Sequence, residues 1–256
     1  MTQPRSELNR RSLLVGTAAA AGAVLAGSLS REVAAVDTRS LRRRLFGRPL
    51  GSQSHEAPAA DTAQVKTYTS AEFYDADGKF LVDKAREAYF DMFTRFHYPI
   101  SDKLKKEKDG MWILDFNLGD FAHVGMAGIF WLNRQDYNYF GHEIYLLPGQ
   151  MIPEHCHLKT DKGAPKMESW QPRRGMIYTF GEGDPTPDLL SKVPESQRNL
   201  IKSKHCQPLH VDELGDLNRL EAWHFMVAGP EGALVTEYGT FHDMDGLRLS
   251  NPKAKL

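Results

Sequence analysis

The chain has 256 residues, 41% of them hydrophobic and 25% charged, enough for a real core in one large domain or two small ones. A formal net charge of −1 gives no compositional case for a nucleic-acid-binding surface. No P-loop, dinucleotide fingerprint, Gly-x-Ser-x-Gly elbow or Cys-x-x-Cys pair is present, which argues against nucleotide-binding, elbow-hydrolase and thioredoxin-like readings.

Residues 1–35 read as a targeting segment. Asn9-Arg10-Arg11-Ser12-Leu13-Leu14 sets paired arginines directly before an Ala/Gly/Leu/Val stretch from Leu13 to Leu29, the look of a twin-arginine export signal. The alternative, a transmembrane anchor, would have only 17 residues of modest hydrophobicity, at the short edge of the spanning range. Cleavage could fall at Ala26-Gly27-Ser28 or at Val33-Ala34-Ala35. This reading expects a periplasmic or extracellular protein, handed folded to the twin-arginine export machinery, a route that suits a metal or cofactor inserted beforehand. Residues 36–66, rich in Arg, Ser, Ala, Gly and Pro and without a sustained period, read as a linker. Its Arg39, Arg42, Arg43, Arg44 and Arg48 form a solvated run, with acidic lipid or a partner as the alternative.

The remaining chain, residues 67–256, reads as one domain. Ser70-Ala71-Glu72 resembles a helix start, and Leu81, Ala85, Ala88, Tyr89, Met92, Phe93 and Phe96 recur at helical spacing, giving one apolar face for core packing before Pro99 ends the helix. From Met111 onward short apolar or alternating runs predict strands over 111–116, 124–132, 143–147, 151–157, 175–180, 222–228 and 233–241. Turn residues break them, among them Gly229-Pro230-Glu231-Gly232. Such a series predicts an all-β sandwich or barrel, with 187–217 as an excursion outside it.

Within this pattern lies Pro153-Glu154-His155-Cys156-His157, followed by Glu168 and much later by His224. Side chains alternate along a strand, so His155 and His157 share one side, and imidazoles with a carboxylate suit manganese, iron or zinc. The bland alternative is a pair of surface histidines on a half-buried strand. Cys156 should then face the opposite way, and it pairs with Cys206, the only other cysteine, solely if Cys206 lies behind that strand.

Gly149, five residues, His155-x-His157, a longer gap, Glu168, six residues and Gly175 resemble the first cupin motif, and His224 in Glu221-Ala222-Trp223-His224-Phe225 stands where the second motif supplies a histidine. More narrowly, residues 114–252 resemble the D-lyxose ketol-isomerase branch of the cupins. Three stretches carry that likeness: Leu114 to Phe121, Pro148 to His157 and Glu237 to Asp243. The resemblance implies an all-β cupin jelly-roll barrel with an N-terminal amphipathic helix. It implies one divalent metal, manganese first and iron or zinc as alternatives, held by His155, His157, Glu168 and His224. It leaves a homodimer open without singling out a surface. Three features depart from the family pattern: residues 160–165 lengthen the gap before Glu168, the chain ends at Leu256 without a tail that related isomerases can bring to the active site, and those enzymes are generally cytoplasmic.

Aldose–ketose conversion needs a proton moved between C1 and C2 and a stabilised enediolate. A metal suits the second task and a positioned base the first. Glu237 is the first candidate base, and Lys166 a candidate acid or electrostatic stabiliser beside Glu168; a strand-surface glutamate and a simple ion pair are the bland alternatives. His242 and Asp243 are candidates for sugar hydroxyls, or turn residues. Trp170 and Trp223, each within two residues of a proposed ligand, are candidates for sugar stacking, against the ordinary role of tryptophan in cores. His97, His123, His142, His205 and His210 lack a companion pattern and read as ordinary. The expected function is a metal-dependent sugar isomerase acting on a small-molecule substrate. The alternatives are a non-catalytic exported cupin that binds a sugar or other small ligand, and a metal-dependent oxygenase.

Overall fold

A computed structural model describes residues 64–106 and 108–256; the twin-arginine segment, and the linker as far as residue 63, lie outside the described residues. Among the described residues nine strands form two antiparallel sheets: β1 (Trp112–Leu114), β2 (Met126–Arg134), β3 (Tyr139–Leu146), β4 (His155–His157), β5 (Glu168–Gly181), β6 (His205–Leu209), β7 (Gly215–Asp216), β8 (Phe225–Gly239) and β9 (Leu247–Leu249). The larger sheet runs β1-β2-β3-β8-β5-β6, with β7 beside β5, and β4 pairs with β9 in the smaller. The two sheets meet where His155 and His224 exchange backbone hydrogen bonds of 3.0 and 2.9 Å.

Alternation along the central strands divides the protein into a packed side and a hollow side. Ala127 and Ile129 of β2, Tyr145 of β3 and Leu234 of β8 point one way and meet α1 (Val82–Arg95) through its Ala85, Ala88, Tyr89, Met92 and Phe93. The residues between them point the other way, into a cavity. Gln150 ties the two sides together. It accepts from Tyr89 Oη at 2.7 Å and from the Leu147 amide at 3.0 Å, and donates to the Phe121 carbonyl at 2.6 Å. Fully buried, those bonds fix the turn at Gly149, where φ is +69°, just ahead of the His155-x-His157 pair.

The expected helix face is present, but Ser70-Ala71-Glu72 belongs to a separate 3₁₀ turn closed by a Thr69/Glu72 capping box, and α1 begins only at Val82. Gly229-Pro230-Glu231-Gly232 does not end a strand. It is a bend inside β8, matched by register shifts in β5 around Arg173 and Met176. Gly175 and Gly232 both have positive φ there, and a Cβ on Gly175 would come 2.0 Å from the Gly232 carbonyl, so only glycine lets the two strands bend together. Residues 187–217 are not wholly an excursion, because β6 and β7 add two edge strands to β5. Strand β5 starts at Glu168 instead of Gly175, and β9 follows the last expected strand.

Candidate metal centre and cavity

His155 and His157 point inward from β4, while Cys156 packs away from the cavity. Glu168 is the first residue of β5, and His224 is held opposite His155 by their backbone pairing. One ligand atom from each of the four lies within 4.8 Å of all the others. The extended segment does not keep Glu168 away: Thr160 bonds to Gly163 and to the Asp243 carboxylate, so the added residues turn outside the site.

In two of the three rings the nitrogen that can bind a metal is set by the other. His155 and His224 direct Nδ1 at the Pro153 and Ala222 carbonyls, both at 2.9 Å, so Nδ1 carries the proton and Nε2 keeps its lone pair. His224 Nε2 lies 2.9 Å, and His157 Nε2 3.4 Å, from Glu168 Oε1. These three atoms are buried without a hydrogen-bond partner. Buried lone pairs facing one another are costly unless a cation joins them, and three imidazoles with one carboxylate are a donor set for a divalent transition metal. The site therefore fits a metal.

Protonation states agree. Burial pushes His155 down to about 3, with His224 adding to the effect, and pushes His157 well below its ordinary value. Burial alone would raise Glu168, but the Lys166 ammonium and His224 hold it well below the usual carboxylate range. His224 is lowered by burial and raised more by Glu168, so the metal-free centre draws a proton there that a cation would displace.

Beside this cluster stand the two expected catalytic groups. Lys166 Nζ lies 2.6 Å from Glu168 Oε2 and is ion-paired with Glu237, above the Phe140 ring at 4.4 Å. Burial lowers Lys166 and the two carboxylates raise it more, so it stays charged; burial raises Glu237 and Lys166 more than offsets this, so it stays ionised. His142, read as ordinary from the sequence, is also here: its Nδ1 lies 3.3 Å from Glu237 Oε2. Burial lowers its pKa, so the ring is neutral and donates to Glu237 through Nδ1. It stacks on Trp112 with ring centres 5.3 Å apart. The predicted strand began at Glu143, one residue too late to show that His142 and Ile144 share a face, and the partner that gives His142 its role lies on another strand.

The four cluster residues, Lys166, Glu237, His142 and Trp112 line a cavity of about 320 Å³, at the small end of the roughly 300–1,000 Å³ of ligand pockets. Trp170 lines it too, its ring 5.4 Å from that of His224, as does His242, stacked on Phe140 at 5.3 Å. Two expected substrate contacts lie elsewhere. Trp223 points away because its neighbour His224 points in, and its ring carries Lys202 Nζ at 3.5 Å. Asp243 caps a 3₁₀ turn, accepting from the Asp245 amide and from Thr160, which is the turn role. Cys156 and Cys206 are free, buried thiols; Cys206 sits among Phe180, Phe225 and Val227.

No family model matches the chain. Among curated proteins it is 30% identical over 164 residues to the D-lyxose ketol-isomerase of Thermofilum sp. (strain ex4484_79), covering 63% of this chain and 87% of that one. It is 26% identical over 177 residues to the D-lyxose/D-mannose isomerase of Thermosediminibacter oceani, covering 69% and 94%. Among solved structures, L-ribose isomerase of Acinetobacter sp. DL28 in complex with L-ribose superposes with a TM-score of 0.54 at 14% identity, over 72% of this chain and 95% of that one. Ligand-free L-ribose isomerase of Cellulomonas parahominis gives 0.53 at 13%, over 72% and 95%. At those identities the structural likeness is one of fold.

Proposed function

Since the chain belongs to the D-lyxose ketol-isomerase family, we propose that it is a metal-dependent aldose–ketose isomerase of the cupin type, acting on a small sugar. The observation that carries the reading is the bridge made by Lys166 between Glu168 of the three-histidine cluster and the ionised carboxylate of Glu237, inside one cavity. His155, His157, Glu168 and His224 would hold the metal, for which manganese is the first choice and iron or zinc the alternatives. When bound, the metal supplies a Lewis acid that polarises the substrate's neighbouring oxygens and steadies negative charge on them.

Glu237 takes the proton from C2, the electrons of that bond form the C1–C2 double bond, and the π pair of the C1 carbonyl moves onto O1. The same carboxyl returns the proton to C1 while the O2 hydroxyl proton ends on O1, so the aldose becomes a ketose with no atom gained or lost. Lys166 holds Glu237 and Glu168 in register and balances their charge. His142 orients Glu237, which lets the carboxylate reach two adjacent carbons without swinging.

Metal analysis of the purified protein, followed by exchange of the C2 proton of D-lyxose and D-mannose in heavy water, tests the reading. Stoichiometric metal with exchange and ketose formation supports it. Stoichiometric metal with no exchange on any aldose leaves a non-catalytic binding cupin. The export reading of residues 1–35 is a separate proposal, checked by whether replacing Arg10 and Arg11 by lysine retains the protein in the cytoplasm.

A further inference from the structure

A metal-binding histidine needs its second nitrogen held, because the bond made there fixes the tautomer and the direction of the ring. His155 and His224 meet that need with the Pro153 and Ala222 carbonyls. His157 does not. Its Nε2 faces Glu168, and its Nδ1, which then carries the proton, is buried without a partner. Among the described residues seven buried side-chain atoms are unpaired in this way. Three of them, His157 Nε2, Glu168 Oε1 and His224 Nε2, face one another in the metal cluster. His142 Nε2 abuts the backbone at Gly128, where a Cβ would stand 2.4 Å away, and Trp112 Nε1 is a donor only. The acceptor left for His157 is Nδ1 of His242.

The two rings suit each other. His242 Nε2 lies 2.9 Å from the Met244 sulfur, which can only accept, so Nε2 carries the proton and Nδ1 presents a lone pair. The ring centres of His157 and His242 are 5.1 Å apart. An N–H···N bond of about 3 Å fits that spacing, since each nitrogen stands about 1.1 Å from its ring centre. His242 is also held where it stands. Its N–H donates to Asn133 Oδ1 and its carbonyl accepts from Asn133 Nδ2, both at 2.9 Å, while the ring stacks on Phe140. Beside it, the Asp243 carboxylate accepts from Thr160, at the start of the segment that lengthens the gap before Glu168.

We propose that His242 is the positioning residue of His157: in the metal-loaded protein a small turn of the His157 ring lets Nδ1–H donate to His242 Nδ1, which aligns the third imidazole as the two carbonyls align the others. The proposal rests on the metal of the isomerase reading and not on its sugar chemistry.

Two replacements separate the acceptor from the ring. His242→Phe keeps the stack on Phe140 and removes the acceptor; His242→Asn loses the stack and keeps an acceptor oxygen at the place of Nδ1. Affinity for manganese and for zinc is read by chelator competition on the full chain, and stability of the metal-free variants by urea unfolding. The Phe variant should bind metal about 10- to 100-fold more weakly at unchanged metal-free stability, whereas the Asn variant should keep most of the affinity and lose stability. A ring needed only for packing gives the opposite order. Affinity unchanged in the Phe variant, or lowered equally in both, overturns the proposal. In the zinc-loaded wild type, nitrogen NMR of the imidazoles should find His157 protonated on Nδ1 and His242 on Nε2; His242 protonated on Nδ1 overturns the proposal without any variant. A wild-type chain that binds neither metal removes the metal centre and the isomerase reading together. One that binds metal, shows this order of variants and exchanges no sugar proton sinks the isomerase reading and sustains His242 in its role.

Discussion

Nζ of Lys166 lies 2.6 Å from Oε2 of Glu168 in a site where both side chains are buried. The same ammonium is paired with Glu237, so one cation neutralises a candidate metal ligand and the candidate base together. Two carboxylates at such range would otherwise repel each other in a medium that screens poorly.

Removing that ammonium should therefore be costly. Lys166→Met keeps the volume and leaves two buried carboxylates uncompensated, so the metal-free protein should lose about 3–5 kcal/mol of stability in urea unfolding at neutral pH. A loss below about 1 kcal/mol would show that water, not Lys166, solvates the pair.

Glu237→Gln separates chemistry from assembly. The amide keeps the shape and the contact with His142 but cannot take a proton, so kcat should fall by about 10²–10⁴ with metal content unchanged. His224→Ala should do the reverse and empty the metal centre, since it deletes one of the four ligands. Metal analysis of the two variants beside their kinetics decides whether the roles are divided in this way.

Much of this centre was legible because its grammar is local. Two-residue alternation put His155 and His157 on one face whatever the rest of the fold did, and turned His224 inward; that rule also sends Trp223 outward, against its nomination as a stacking residue. The helix face from Ala85 to Phe93 was legible for the same reason, because helical spacing is a property of neighbours. What stayed hidden depends on pairing across long separations. His142 acquires its role only because β3 lies beside β8, bringing Glu237 within 3.3 Å from 95 residues away. Trp112 enters the wall through β1 at the sheet edge, a place fixed only by its pairing with Gly128 on β2. The bend at Gly232 looked like a break between two strands because its justification, the close pass of Gly175, lies on another strand.

His155 and Glu168 predict an acid limb in the metal-free protein, opposed in part by His224, whose pKa is raised by Glu168. His155 is held at about 3 in the fold, against an ordinary value of about 6.5, so between those values the unfolded chain binds a proton that the folded one does not. Stability from this residue is complete above pH 6.5 and is lost as pH falls toward 3. Glu168 has a depressed carboxylate pKa, so its contribution is present above the unfolded value and is lost as pH falls through the folded one. Both signs agree. Urea midpoints of the chelated protein should drop from pH 7 to pH 4, and His155→Asn should flatten the slope; an unchanged slope in that variant would assign the limb to other groups.

Gly128 supplies the sharpest check on His142 as the group that orients the base. A Cβ at residue 128 would stand 2.4 Å from His142 Nε2 and 2.8 Å from the Trp112 ring, in a stack with no slack. Gly128→Ala should force the imidazole off its stack, costing about 1–3 kcal/mol of stability, and should lower kcat with KM and metal content little changed, because Glu237 loses its second anchor while the ligand cluster is untouched. His142→Ala should also lower kcat, and adding it to Gly128→Ala should recover only part of the stability, since the new Cβ would still meet the Glu143 carbonyl and the Trp112 ring, each at 2.8 Å, and none of the turnover. If the double variant regains activity along with stability, His142 is only a packing residue and Lys166 alone positions the carboxylate.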